Sequence, residues 1–123
     1  EFLLCSHLPD GYQIHTNLLY AVRALRQLLD NAQKFTEKGL VKLDISLEND
    51  QWVVFAVEDT GIGVPEKDEE SIFGEFVKLD DDAVGTGVGL PVARSIARLL
   101  GGDIILDITY KRGARFKMTL PAT

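Results

Sequence analysis

From Val41 to Glu48 apolar and polar residues alternate without a break: Val41, Leu43, Ile45 and Leu47 on one side, Lys42, Asp44, Ser46 and Glu48 on the other. Successive side chains of a strand point to opposite faces, so this is a strand with one buried face. A sheet built from such strands is covered on one side only, and the rest of the chain must supply the cover. Glu48-Asn49-Asp50-Gln51 reads as a hairpin turn. Trp52 to Val57 is a second, nearly continuous apolar strand that stops at Glu58-Asp59-Thr60-Gly61-Ile62-Gly63.

The cover is found on either side. Leu18, Leu19, Val22, Leu25, Leu28, Leu29 and Ala32 recur at helical steps and predict one broad apolar face, with Thr16 or Asn17 as N-cap and Gly39 near C′. A later helix is expected from Val88 or Leu90 to Leu100, with Pro91 in its first turn and Gly101-Gly102 as its stop. Residues 2–5 and 12–15 read as short strands around Pro9-Asp10-Gly11. Glu66 to Phe73 reads as a short acidic helix, and Asp80 to Gly85 as a loop. Ile104–Ile108 and Arg115–Leu120 read as a closing hairpin. This order gives an α+β fold: a two-layer sandwich with a mixed, mostly antiparallel sheet packed on one face by about three helices.

The 123 residues suit one domain, 1–123, expected to be a monomer and a piece cut from a longer chain. Cys5 alone makes neither a disulfide framework nor a CxxC metal site, and His7 and His15 do not suggest structural zinc. A net charge of −6 argues against a nucleic-acid partner. No apolar run approaches the ~20 residues that span a bilayer, and the opening residues lack a signal peptide's pattern.

Three stretches carry chemistry. In Leu28-Leu29-Asp30-Asn31-Ala32-Gln33-Lys34-Phe35-Thr36, Asn31, Lys34 and Phe35 fall three or four residues apart on one helix surface. An amide oxygen suits Mg²⁺ already chelated by phosphates, a lysine one turn on neutralises phosphate oxygens, and Phe35 offers a flat face to a base. Alone, the stretch fits a plain surface strip equally well. Asp59-Thr60-Gly61-Ile62-Gly63 follows an apolar strand directly. Asp59 can accept a hydrogen bond from an exocyclic amine such as N6 of adenine, and Gly61 and Gly63 allow close backbone approach; a plain turn is the alternative. Gly85-Thr86-Gly87-Val88-Gly89-Leu90 opens a helix and leaves backbone N–H groups to face an anion. It is neither a Walker A loop nor a Rossmann fingerprint.

Together these stretches resemble the catalytic, ATP-binding domain of sensor histidine kinases, of the GHKL superfamily with its Bergerat fold. Asn31-Ala32-Gln33-Lys34-Phe35-Thr36 resembles the N box and Asp59-Thr60-Gly61-Ile62-Gly63 the G1 box. Ile72-Phe73-Gly74-Glu75-Phe76 resembles the F box and Gly85-Thr86-Gly87-Val88-Gly89-Leu90 the G2 box. Gly113-Ala114-Arg115-Phe116 resembles a reduced last glycine box. The order is the family's, over about residues 13–121.

The resemblance implies ATP and Mg²⁺ as ligands. Asn31 would coordinate the metal, with Gln27 one turn earlier as a second candidate ligand. Lys34 and Lys78 would reach phosphates, Phe35 would lie against adenine, and Asp59 would read its amine above Gly61 and Gly63. Residues 78–86 would form a lid hinged at Gly85, Gly87 and Gly89, whose amides would face the phosphate chain, with Thr86 and Leu90 among the nucleotide-binding residues. The implied reaction is γ-phosphoryl transfer to a histidine on a separate dimerisation hairpin upstream, and onward to a response regulator receiver. The domain alone would bind ATP without autophosphorylating. The parent would be membrane-anchored with this part in the cytoplasm. Gln27 stands where hydrolysing relatives carry a water-activating Glu, and an amide is no general base. Ala114 and Arg115 stand where small or hydroxylated residues are usual. Two alternatives are a degenerate partner-binding module and an ATPase of the chaperone, topoisomerase or mismatch-repair branch.

Overall fold

The structure is a computed structural model that describes residues 2–34, 36, 39–61, 63, 89–110 and 112–122. Its elements are β1 (Phe2–Ser6), α1 (Leu18–Lys34), β2 (Val41–Glu48), β3 (Trp52–Asp59), α2 (Gly89–Leu99), β4 (Asp103–Leu106) and β5 (Arg115–Pro121). The sheet runs β1-β2-β3-β5-β4. β1 is parallel to β2 and the other pairs are antiparallel. This is the expected α+β fold with a mixed, mostly antiparallel sheet. Two helices are described; the one expected over Glu66–Phe73 lies outside the described residues.

Local chemistry sets each boundary. Asn17 Oδ1 accepts the Tyr20 N–H at 3.1 Å, the N-cap to N3 bond that starts α1. Asn49 and Asp50 take φ of +54° and +56°, the paired left-handed residues of a type I′ turn, and the Gln51 N–H closes it on the Glu48 carbonyl at 3.0 Å. At the end of α2 the Gly102 N–H reaches the Ala97 carbonyl (2.9 Å) and the Gly101 N–H the Arg98 carbonyl (3.1 Å). Gly101 sits at φ +97°. This is a Schellman motif, and it turns the chain directly into β4.

The core lies between the sheet and the two helices, which pack on each other. From the helices come Ala24, Leu28, Ala32, Leu90, Ala93 and Ala97; from the sheet come Val41, Leu43, Val57, Ile104, Phe116, Met118 and Leu120. Burying each of the larger side chains contributes about 1.5–3 kcal/mol. Lys42, Asp44, Glu58, Arg115 and Lys117 line a polar depression on the opposite face.

Three expectations change. Residues 12–15 form no strand: β1 pairs in parallel with β2 and not in a hairpin with the segment that follows it. α1 ends at Lys34, well before Gly39. Its buried stripe is Ala24, Leu28 and Ala32, while Leu18, Leu19 and Val22 are 74%, 67% and 51% exposed. The first turn of α1 overhangs its cover, and spacing alone cannot distinguish a leucine over the sheet from one beyond it.

Candidate nucleotide site

The site begins with strand parity. Val53, Phe55 and Val57 occupy every second position of β3; Val53 and Val57 are buried and Phe55 packs against the core. The next residue in that row is Asp59. Register sets it across from Val41 on one side, and its N–H bonds to the Ala114 carbonyl at 2.9 Å on the other. A carboxylate therefore ends an apolar row, 3% exposed, and is the only buried charged side chain among the described residues.

Its surroundings hold it in one orientation. Oδ1 accepts the Gly61 N–H at 2.9 Å and the Ala114 N–H at 3.2 Å. Desolvation raises its pKa above the ordinary value although both amides oppose the rise. The buried Thr36 hydroxyl lies near the carboxylate and opposes the rise least, short of hydrogen-bond geometry. A buried acceptor without a cation among the described residues, one oxygen fixed by two amides, is suited to receive a further donor.

Gly113 shows how closely this end is packed. A Cβ there would fall on the Asp59 carbonyl oxygen and lie 2.7 Å from Oδ1. Gly63, at φ +73°, is pressed in turn on Gly113, whose carbonyl oxygen would be 2.9 Å from an added Cβ. The close approach at Gly63 is thus to the chain's own backbone.

The helical residues adjoin the same core. Ala32, Leu90 and Ala114, the neighbours of Asn31, Gly89 and Gly113, share one core cluster with Val41 and Val57. Gln27, Asn31 and Lys34 fall along one strip of α1; the first two are half-buried and Lys34 is exposed. No group of three or more His, Cys, Asp or Glu is placed to hold a metal among the described residues, so the candidate metal ligands are amides. Gly89 opens α2. Leu90 was expected at the ligand, but its side chain is 5% exposed and belongs to the core, where it anchors the first turn. Phe35, Lys78, Gly85, Thr86 and Gly87 lie outside the described residues.

Two other carboxylates behave differently. Burial pushes the Asp103 pKa up, but the Ile104 amide, Arg94 and Arg98 outweigh it and hold it below the ordinary value. The guanidinium Nε atoms of Arg94 and Arg98 lie 3.1 and 3.0 Å from Asp103 Oδ1. Asp107 is held at about 2, chiefly by the Thr109 hydroxyl, with Arg115 and Lys117 adding to it against desolvation. Sequence reading assigned no role to Tyr110 or Arg115, which also meet here. The Tyr110 hydroxyl donates to the Asp59 carbonyl at 3.0 Å, and Arg115 lies over the Tyr110 ring.

An α+β sandwich whose core strand ends in a buried carboxylate, packed under an amide-bearing helix, is a frame that suits a nucleotide. Residues 17–123 match the family described as histidine kinase-, DNA gyrase B-, and HSP90-like ATPase, and the chain belongs to that family. It is 34% identical over 99% of its length to the aerobic respiration control sensor protein ArcB of Escherichia coli (strain K12), and spans 16% of that protein. It is 41% identical over 80% of its length to the adaptive-response sensory kinase SasA of Synechococcus sp., spanning 27% of it. Among solved structures, the nucleotide-free catalytic domain of histidine kinase ThkA superposes with a TM-score of 0.83 at 25% identity, covering 100% of this chain and 80% of that one. The mycobacterial sensor histidine kinase MprB shares the fold, with a TM-score of 0.86 at 22% identity over 98% of this chain and 82% of that one. The chain is an ATP-binding module of the histidine kinase type. No helix among the described residues is long and apolar enough to cross a membrane.

Proposed function

We propose that this domain binds ATP with Mg²⁺ and, within a longer sensor kinase, presents the γ-phosphoryl group to a histidine on a separate dimerisation hairpin, from which it passes to a response regulator receiver. One observation carries the ligand reading: Asp59 is buried, unmatched by a cation among the described residues, and oriented by two backbone amides on one oxygen. That arrangement suits the exocyclic amine of adenine, a donor that brings no charge. Phe35 would lie along the base, and Lys34, Lys78 and the 85–89 segment would meet the phosphates.

The amides of Asn31 and Gln27 suit a hard cation already chelated by phosphate, since they add ligand oxygen without adding charge. Bound there, Mg²⁺ would neutralise charge on the phosphate chain. The chain's own contribution is positioning: Asp59 fixes the base, and the start of α2 presents N–H groups to the phosphates. Gln27 cannot take a proton from water, which favours transfer over hydrolysis. The parent is proposed to be membrane-anchored, with this domain in the cytoplasm.

Calorimetry of the chain with a non-hydrolysable ATP analogue, with and without Mg²⁺, tests the binding. Absence of heat at millimolar nucleotide would overturn it. Joining the upstream hairpin and assaying phosphohistidine tests the transfer. A protein that binds ATP yet labels no histidine would reduce the domain to a binding module.

A further inference from the structure

The end of β3 has a gap in its hydrogen-bond ladder. β5 begins at Arg115, and Ala114 still accepts the Asp59 N–H, but the Ala114 N–H is donated to the Asp59 side chain, Oδ1, instead of to its carbonyl. Among the described residues no other ladder N–H meets the Asp59 carbonyl, and a carbonyl left unpaired beside a buried carboxylate is costly. The Tyr110 hydroxyl fills the gap, donating to that carbonyl at 3.0 Å from across the 107–114 turn.

Tyr110 is itself held. The Arg115 guanidinium carbon lies 4.4 Å from the centre of its ring, a cation–π contact. Arg115 is fixed on both sides, to Glu58 Oε1 at 3.0 Å and to Asp107 Oδ2 at 3.2 Å. Lys117 adds 3.5 Å to the same Asp107 oxygen. Burial and the charge of Glu58 both hold the Tyr110 hydroxyl in its protonated, donating form. The chain of contacts runs from the charged outer face of the sheet, through an aromatic ring, to the backbone of the one buried carboxylate.

We infer that Tyr110, braced by Arg115, is a positioning residue for purine recognition: it fixes the peptide of Asp59 and so aims the carboxylate at the exocyclic amine of the base. Neither side chain needs to touch the nucleotide. The inference rests on Asp59 reading the purine.

The test compares ATP with purine riboside triphosphate, which lacks the exocyclic amine, by calorimetry on the 123-residue chain. The readout is the ratio of the two affinities, which general loss of structure would not change selectively. Tyr110→Phe keeps the ring and removes the hydroxyl; the ratio is expected to fall about fivefold, the scale of one hydrogen bond. Arg115→Gln withdraws the guanidinium from the ring and is expected to lower the ratio in the same direction. In an Asp59→Asn background Tyr110→Phe should leave the ratio unchanged, because the group it positions has been replaced. If Asp59→Asn lowers the ratio but Tyr110→Phe and Arg115→Gln do not, the brace is refuted while the carboxylate's role stands. If Asp59→Asn leaves the ratio unaltered, the purine-reading carboxylate is refuted and the brace with it.

Discussion

Asp59 and Asp107 flank the same turn, and chemistry has treated them in opposite ways. Asp107 faces Arg115 and Lys117 and the Thr109 hydroxyl, and its pKa falls to about 2. Asp59 is buried, meets two amides but no cation among the described residues, and its pKa rises. Asp103 sides with Asp107, matched by Arg94 and Arg98. A carboxylate whose charge is answered by the protein holds the fold together. One that is buried with its charge unanswered costs stability, and is kept for what it binds.

That contrast can be broken in order of effect. Gly113→Ala should act hardest, since its Cβ would strike the Asp59 backbone. A loss of about 3 kcal/mol is expected from urea unfolding, and an unchanged midpoint would show that the 112–114 turn yields freely. Asp59→Asn should weaken ATP binding by about 30-fold, the scale of a hydrogen bond to a charged group, while Asp107→Asn leaves the dissociation constant within about twofold. Equal losses in the two variants would erase the distinction.

Asp107→Asn should instead cost about 1–2 kcal/mol of stability at neutral pH. The sign follows from its lowered pKa. The stabilisation is complete above the unfolded value near 3.8 and disappears as pH falls through about 2. The variant and the parent should therefore converge in acid. The smallest effect has the opposite sign. With its folded pKa raised, Asp59 lowers stability as pH climbs from 3.8 through that raised value. Asp59→Asn should flatten this part of the stability–pH curve and leave the chain slightly more stable at neutral pH. A variant less stable at every pH would mean that the carboxylate supports the fold after all.

Much of this was legible in the sequence because it depends on period. Alternation over 41–48 gave the first strand and its inner row, and the apolar run 52–57 gave the second, which ends at Asp59. Turn chemistry gave the hairpin and the stop at Gly101-Gly102. Asp59 was legible as a carboxylate ending an apolar strand, whereas Asn31 and Gln27 are expectations drawn from helical spacing and from the resemblance. What failed depended on neighbours distant in sequence. Whether Leu18 and Leu19 are covered depends on where the sheet ends beneath them. Whether 12–15 forms a strand depends on which partner β1 takes, and it takes β2, with Phe2 set against Val41. Tyr110 and Arg115 carry no local signal, since a tyrosine hydroxyl finding a carbonyl 51 residues away is a product of the assembled fold.

The type I′ turn at Asn49–Asp50 also bears on the order of assembly. β2 and β3 are joined by so short a loop that their pairing is expected on the microsecond scale of an isolated hairpin. β1 must instead await α1 and close its parallel pairing across the whole intervening chain, an entropic cost that slows non-local contacts. Asp59 would then have its register before the first strand docks, and amide exchange should find β1 the earlier to open and the β2–β3 ladder the longer protected.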